Sequence, residues 1–306
     1  MKMKFIVMSL LTSIVVSCGT TSTVPITGRK HSLLVSDAQI LSLSNQEYKK
    51  YMQTATRSTN TAHTAMVQRV GRKLANAVET YLRNNGMGSE VQNFSWEFNL
   101  VQDKSVNAFC MPGGKIVVYE GLLPVARDEA SLAVVLGHEI AHAVAKHSAE
   151  QMSKRIRQSY GTQIGGTVLD ALGVGSGITS VAQVAAGQFF SFKNLKYSRE
   201  NETEADRMGL IFAAMAGYDP RVAVGFWQRM AAQNGGGNSS DMFSDHPSDA
   251  KRIAAIQRDM PEAMKYYQGG NAYSDSLHGT KAKQKMAKSG GSVSVSDLYK
   301  SSSRKR

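Results

Sequence analysis

The chain has 306 residues and a formal net charge of +12, with 42% hydrophobic residues, enough apolar content for one sizeable core. Lys2 and Lys4 supply two of those charges and the stretch from Lys281 onward seven, which leaves +3 on the body between them. That body has no long basic stripe interleaved with aromatics, so nucleic-acid binding is excluded, and the basic tail reads as a solvated segment.

In chain order, the first element is an address. Lys2 and Lys4 precede an apolar run, Phe5 to Val16, that is too short to span a bilayer. It ends in Val15-Val16-Ser17-Cys18, which looks like a bacterial lipobox, so residues 1–17 read as a signal peptide and Cys18 as the lipidated residue. Two or more acyl chains anchor durably where one does not; the membrane is therefore an expected partner. Cys110 is the other cysteine; with Cys18 acylated it has no disulfide partner and reads as a small buried strand residue. Residues 18–31, rich in Thr with Pro25 and Gly28, read as a linker.

A helix is expected from Asp37 to Tyr51, capped by Ser36. A second runs from Thr64 to Arg83, with Val67, Val70, Leu74, Val78 and Tyr81 at helical spacing, and Asn84-Asn85-Gly86 stops it. Alternation at Phe94, Trp96 and Phe98 predicts a strand. Val106–Cys110 and Ile116–Tyr119 flank a Pro112-Gly113-Gly114 turn as two more. Asp128–Ser148 is helical, with acids first and Lys146 and His147 last, as the helix dipole favours. The glycine-rich stretch 161–190 reads as a flap near the cleft. Helices resume at Arg199–Ala216, Pro220–Gln233 and Ser248–Met260, with a Gly235–Ser240 loop between the last two. The globular domain is expected over 32–266, and 267–306 as a disordered basic tail.

The chemistry centres on His138-Glu139-Ile140-Ala141-His142. Helical residues four apart differ by about 40° in azimuth, so the two histidines share a face and can share one metal ion. Glu139 lies beside them. Zinc lowers the pKa of water towards ~7 and a carboxylate can take its proton during attack on a carbonyl. A catalytic zinc needs a third protein ligand and an open position. Histidine does not supply it: His147 lies about 180° round the helix from His138 and reads as structural. The candidate is in Glu200-Asn201-Glu202-Thr203-Glu204-Ala205-Asp206. Glu202 and Asp206 share a face; Glu202 is assigned to the metal and Asp206 behind a ligating histidine, because such rings commonly give their second N–H to a carboxylate. Glu200 and Glu204 read as a solvated face.

His138–His142, the Glu202/Asp206 pair, Ser198-Arg199, and His246-Pro247 with Arg252-Ile253 together resemble the gluzincin family that includes HtpX and the CAAX prenyl proteases, and most of all its periplasmic lipoprotein members. The resemblance implies an α+β fold, compact and mostly helical, with a small β-sheet beside the active-site helix. It implies one Zn2+ per chain and proteolysis of unfolded or misfolded envelope proteins, with a latent protease serving as chaperone or adaptor as the alternative. His246 would face the zinc, as oxyanion stabiliser or as a latch on the open coordination position, and Arg252 would hold the structure around it. Asn107, Ala108 and Phe109 resemble the family's edge strand, which lets an extended substrate pair with little regard to its side chains.

Overall fold

The structure, a computed structural model, describes residues 20–163, 191–193, 195–234 and 250–269. It is α+β: helices pack on both faces of one small mixed sheet. That sheet has the order β3-β5-β4. β3 (Glu97–Val101) runs parallel to β5 (Lys115–Tyr119), and β4 (Ala108–Met111) runs antiparallel to it. All five residues of β5 are buried. The apolar run from Ile116 to Tyr119 follows from that placement, since a central strand covered on both faces has no water-facing side to alternate toward.

Successive β5 side chains divide the core in two. Ile116 and Val118 join the larger cluster, built on α2 (Thr61–Asn84) and α4 (Glu129–Val144). Val117 and Tyr119 face the smaller one, built on α1 (Asp37–Thr54) and α5 (His147–Gln163). A short α3 (Leu123–Ala126) leads into α4. The same larger cluster takes in α6 (Arg199–Met215), α7 (Val222–Asn234) and α8 (Ala250–Ala263). The most extensive helix–helix packing is between α4 and α6. None of the described helices is long and apolar enough to cross a membrane.

Several expectations are corrected here. Residues 20–31, read within a linker, belong to a folded hairpin: β1 (Thr20–Thr23) pairs antiparallel with β2 (Lys30–Leu33). The hairpin is held by burial, with Val24 in the larger cluster and Leu33 in the smaller. The helix expected over Asp128–Ser148 ends at Val144, and a new helix starts at His147. Between them Lys146 takes φ = 56°, the left-handed region disfavoured for a side-chain-bearing residue. Its ammonium meets Asp37 at 2.8 Å and Glu90 at 2.9 Å, which ties the break to two other parts of the fold. Phe94, Trp96 and Phe98 do line one side as a stack of rings, although the strand itself begins at Glu97. The flap expected over 161–190 begins inside α5 and otherwise lies outside the described residues, as do Cys18, His246 and residues 270–306 of the expected tail.

Candidate metal centre

α4 is positioned from its first residue. Asp128 caps it by accepting from the Ser131 N–H at 2.7 Å, and an apolar face then buries the helix down to His138 and His142, each 1% exposed. α6 is set by a capping box in which Ser198 and Asn201 satisfy each other's backbone N–H. Glu202 therefore falls in the first turn, and Asp206 one turn later on the same face.

The two helices cross at glycine. A Cβ on Gly137 would lie 2.7 Å from the carbonyl oxygen of Gly209, and one on Gly209 would lie 2.6 Å from the His138 nitrogen. Only backbone fits between them, so α6 approaches α4 at the residue before His138 and carries Glu202 to the histidines. His138 Nε2 is 3.1 Å from His142 Nε2, and the Glu202 carboxylate stands 3.4 Å from the first through Oε2 and 3.5 Å from the second through Oε1. Donors on a tetrahedral ion with bonds of about 2.0–2.1 Å would be separated by roughly 3.3–3.4 Å. The spacing of the two ring nitrogens and the Glu202 carboxylate fits a small divalent cation.

The electrostatics agree with that fit. Burial alone favours a neutral His138, but hydrogen bonds to Asp206 and Glu202 outweigh it and raise the ring to about 9; the pocket is organised to hold positive charge. Burial would likewise raise the Asp206 carboxyl, yet Arg252 and His138 hold it below the ordinary value. Asp206 Oδ1 accepts from His138 Nδ1 at 2.9 Å, and Arg252 grips both Asp206 oxygens, at 2.8 and 2.7 Å. The guanidinium also sits 3.5 Å above the Trp227 ring.

Residues 62–259 match the sequence model of peptidase family M48. The chain belongs to that family. Among M48 relatives, the mitochondrial metalloendopeptidase OMA1 of Schizosaccharomyces pombe is 39% identical over 176 residues, 57% of this chain and 50% of its own. Human metalloendopeptidase OMA1 is 31% identical over 245 residues, 79% of this chain and 46% of its own. The putative beta-barrel assembly-enhancing protease of Vibrio cholerae is 33% identical over 160 residues, 51% and 33% of the two chains. This chain thus spans half or less of the length of these three relatives. Identity to the bacterial member falls between the values for the two mitochondrial ones, so it does not single out the lipoprotein branch expected from the sequence.

Around the three converging side chains the structure adds three more that spacing did not indicate. The Tyr197 ring stacks on His142 at 4.0 Å between centroids, and its hydroxyl meets Ser148 Oγ at 2.9 Å; burial pushes its phenol well up, keeping it neutral. His147, expected to point away, instead places Nδ1 2.8 Å from His142 Nδ1, because the helix breaks before it and the chain turns back. Glu204, expected on a solvated face, is 8% exposed and meets His147 Nε2 at 3.0 Å. Glu200 is exposed as expected. Nothing in the local spacing pointed to His147 or Glu204, because their contacts are made across elements.

Glu139 is buried beside its histidines, 3% exposed, and its charge reaches Tyr197 and Cys110. Cys110 is a free, buried thiol, pushed well up by burial and by Glu139, as befits an inert strand residue. Asn107, Ala108 and Phe109 are buried on and beside β4, which packs on α4 and forms one edge of the described three-stranded sheet. The Asn107 side chain accepts from the Ala108 N–H at 2.8 Å, and its carbonyl accepts from Tyr119 N–H at 3.1 Å.

Proposed function

We propose that the chain is a zinc-dependent endopeptidase that hydrolyses peptide bonds in unfolded or misassembled proteins of a bacterial envelope. The observation that carries this reading is the convergence of His138 Nε2, His142 Nε2 and the Glu202 carboxylate at spacings suited to one divalent ion. Three protein donors with no thiolate among them suit a catalytic zinc, which keeps one position open, better than a closed structural site. Zinc, when bound, supplies a Lewis acid that polarises a carbonyl and makes water acidic near neutral pH. His138 and His142 are held with Nδ1 engaged behind them, so their Nε2 lone pairs point at the shared centre. Glu139, adjacent on the same helix and kept from bulk water, is the general base: its carboxylate accepts a proton during attack and returns it to the departing amine.

The edge of β4 would hold an extended substrate by main-chain pairing, with Asn107, Ala108 and Phe109 flanking the site. His246 would complete the centre as oxyanion stabiliser or resting latch. Cys18 would tether the enzyme by lipid to the envelope, and names of relatives such as the beta-barrel assembly-enhancing protease favour outer-membrane proteins as the substrate class.

The test is Glu139→Gln against casein as an unfolded substrate. Cleavage is expected to fall roughly 10²–10⁴-fold, the usual contribution of a general base, while zinc stays near one per chain. Wild-type cleavage by the variant would reject the mechanism.

A further inference from the structure

The two histidines facing the metal position are backed by devices of unequal length. Behind His138 stands Asp206, gripped by Arg252. Behind His142 stands a second imidazole, His147, and behind that a carboxylate gripped by a second arginine. Glu204 accepts from Arg29 Nε at 2.8 Å and from Thr27 Oγ1 at 2.5 Å, and both donors sit in the turn of the N-terminal β1–β2 hairpin. The rest of the Arg29 fork spans Glu150 on α5, with bonds of 3.0 and 2.8 Å.

The direction of each bond follows from elementary chemistry. An ionised carboxylate only accepts, so the Glu204 bond places a hydrogen on His147 Nε2. A neutral His147 then offers a lone pair at Nδ1, where it accepts from His142 Nδ1–H. That hydrogen fixes the His142 tautomer, with the Nε2 lone pair toward His138 and Glu202. Reversing the relay would put a hydrogen on His142 Nε2, the atom that must bind. We propose that Arg29 is a positioning residue of the metal centre, acting through Glu204 and His147 on the tautomer and plane of His142. The N-terminal hairpin thereby belongs to the site, although none of its atoms is a ligand. This rests on the site being the metal centre assigned above.

The experiment uses the full chain, stripped by chelator and titrated with zinc against a chromogenic competitor, with the cobalt(II) spectrum as second readout. Arg29→Ala should weaken zinc binding about tenfold or more, the usual cost of losing a partner behind a ligand, and alter the cobalt bands; Arg29→Lys should recover most of the loss. Arg157→Ala is the control. It removes a different tie on the same hairpin, the 2.9 Å bond to the Ser32 carbonyl, and should leave affinity and spectrum unchanged. If Arg29→Ala does not fold, Glu204→Gln tests the same link, because an amide can present a hydrogen to His147. Wild-type affinity and spectrum in the Arg29 and Glu204 variants, or an equal loss in Arg157→Ala, would overturn the proposal. A wild-type chain that bound no zinc would overturn the site assignment itself, and this inference with it.

Discussion

Asp206 is a carboxylate taken wholly out of water, and what makes its burial tolerable is the bidentate guanidinium of Arg252. Breaking a buried ion pair from one side leaves an uncompensated charge and costs about 3–5 kcal/mol. Arg252→Ala and Asp206→Asn should therefore each lower chemical stability by an amount of that order, since each leaves the other's buried charge without its partner; urea titrations of the two variants decide it. Glu150 gives a pH prediction at the same scale. Burial would raise its carboxyl, but His31 and Arg29 outweigh that and hold it at about 2, against an ordinary 4.5. The fold thus favours its ionised form, and that stabilisation is fully present above 4.5 and lost as pH falls toward 2. Thermal midpoints of Glu150→Gln between pH 5 and pH 2 should fall less steeply than those of the wild type. Spacing alone paired His138 with His142 and Glu202 with Asp206, because the helical repeat decides which residues share a face, and the structure brings the two pairs together. Arg29, His147, Glu204 and Tyr197 were not legible: each acts across elements whose packing no local pattern encodes.

At the scale of elements, the site depends on how closely two helices approach. Gly137 and Gly209 were ordinary letters within apolar helices, yet they set the distance between the histidines and Glu202. A methyl at Gly209 would meet backbone rather than a flexible side chain, so relief requires the helices to separate. Overpacking of this kind costs about 1–3 kcal/mol, occasionally more, and Gly209→Ala should show that loss together with weakened zinc binding, read by denaturation and metal titration. Most helices and all three strands of the main sheet were readable from periodicity within a few residues. The break at Lys146 was not, because it runs against local preference: a left-handed lysine is held by Asp37 and Glu90, residues far away in sequence. The N-terminal hairpin was missed for a related reason. Its strands carry a weak apolar pattern, and two buried residues, Val24 and Leu33, with an arginine fork fix it in place.

Across the whole molecule, the donor atoms come from the two helices at the centre of the larger core, and other layers are attached to that pair. The sheet lies against α4 through β4, α2 packs on α4, and α8 packs on α6. A cation bound by His138, His142 and Glu202 would therefore crosslink the middle of the fold rather than its rim. Binding to the folded form alone adds RT ln(1 + [L]/Kd), about 4 kcal/mol when free zinc is a thousandfold above Kd. For a domain of this size each kcal/mol moves the thermal midpoint by about 2–4 °C, so stripping the metal should lower it by roughly 10 °C. Because the crosslink is central, the unfolding transition should shift as one cooperative step instead of splitting in two. His142→Ala should already melt near the stripped value and respond little to chelator. Scanning calorimetry of the wild type and this variant, each with and without chelator, measures both expectations, and a wild-type transition unmoved by chelation would count against a metal held between α4 and α6.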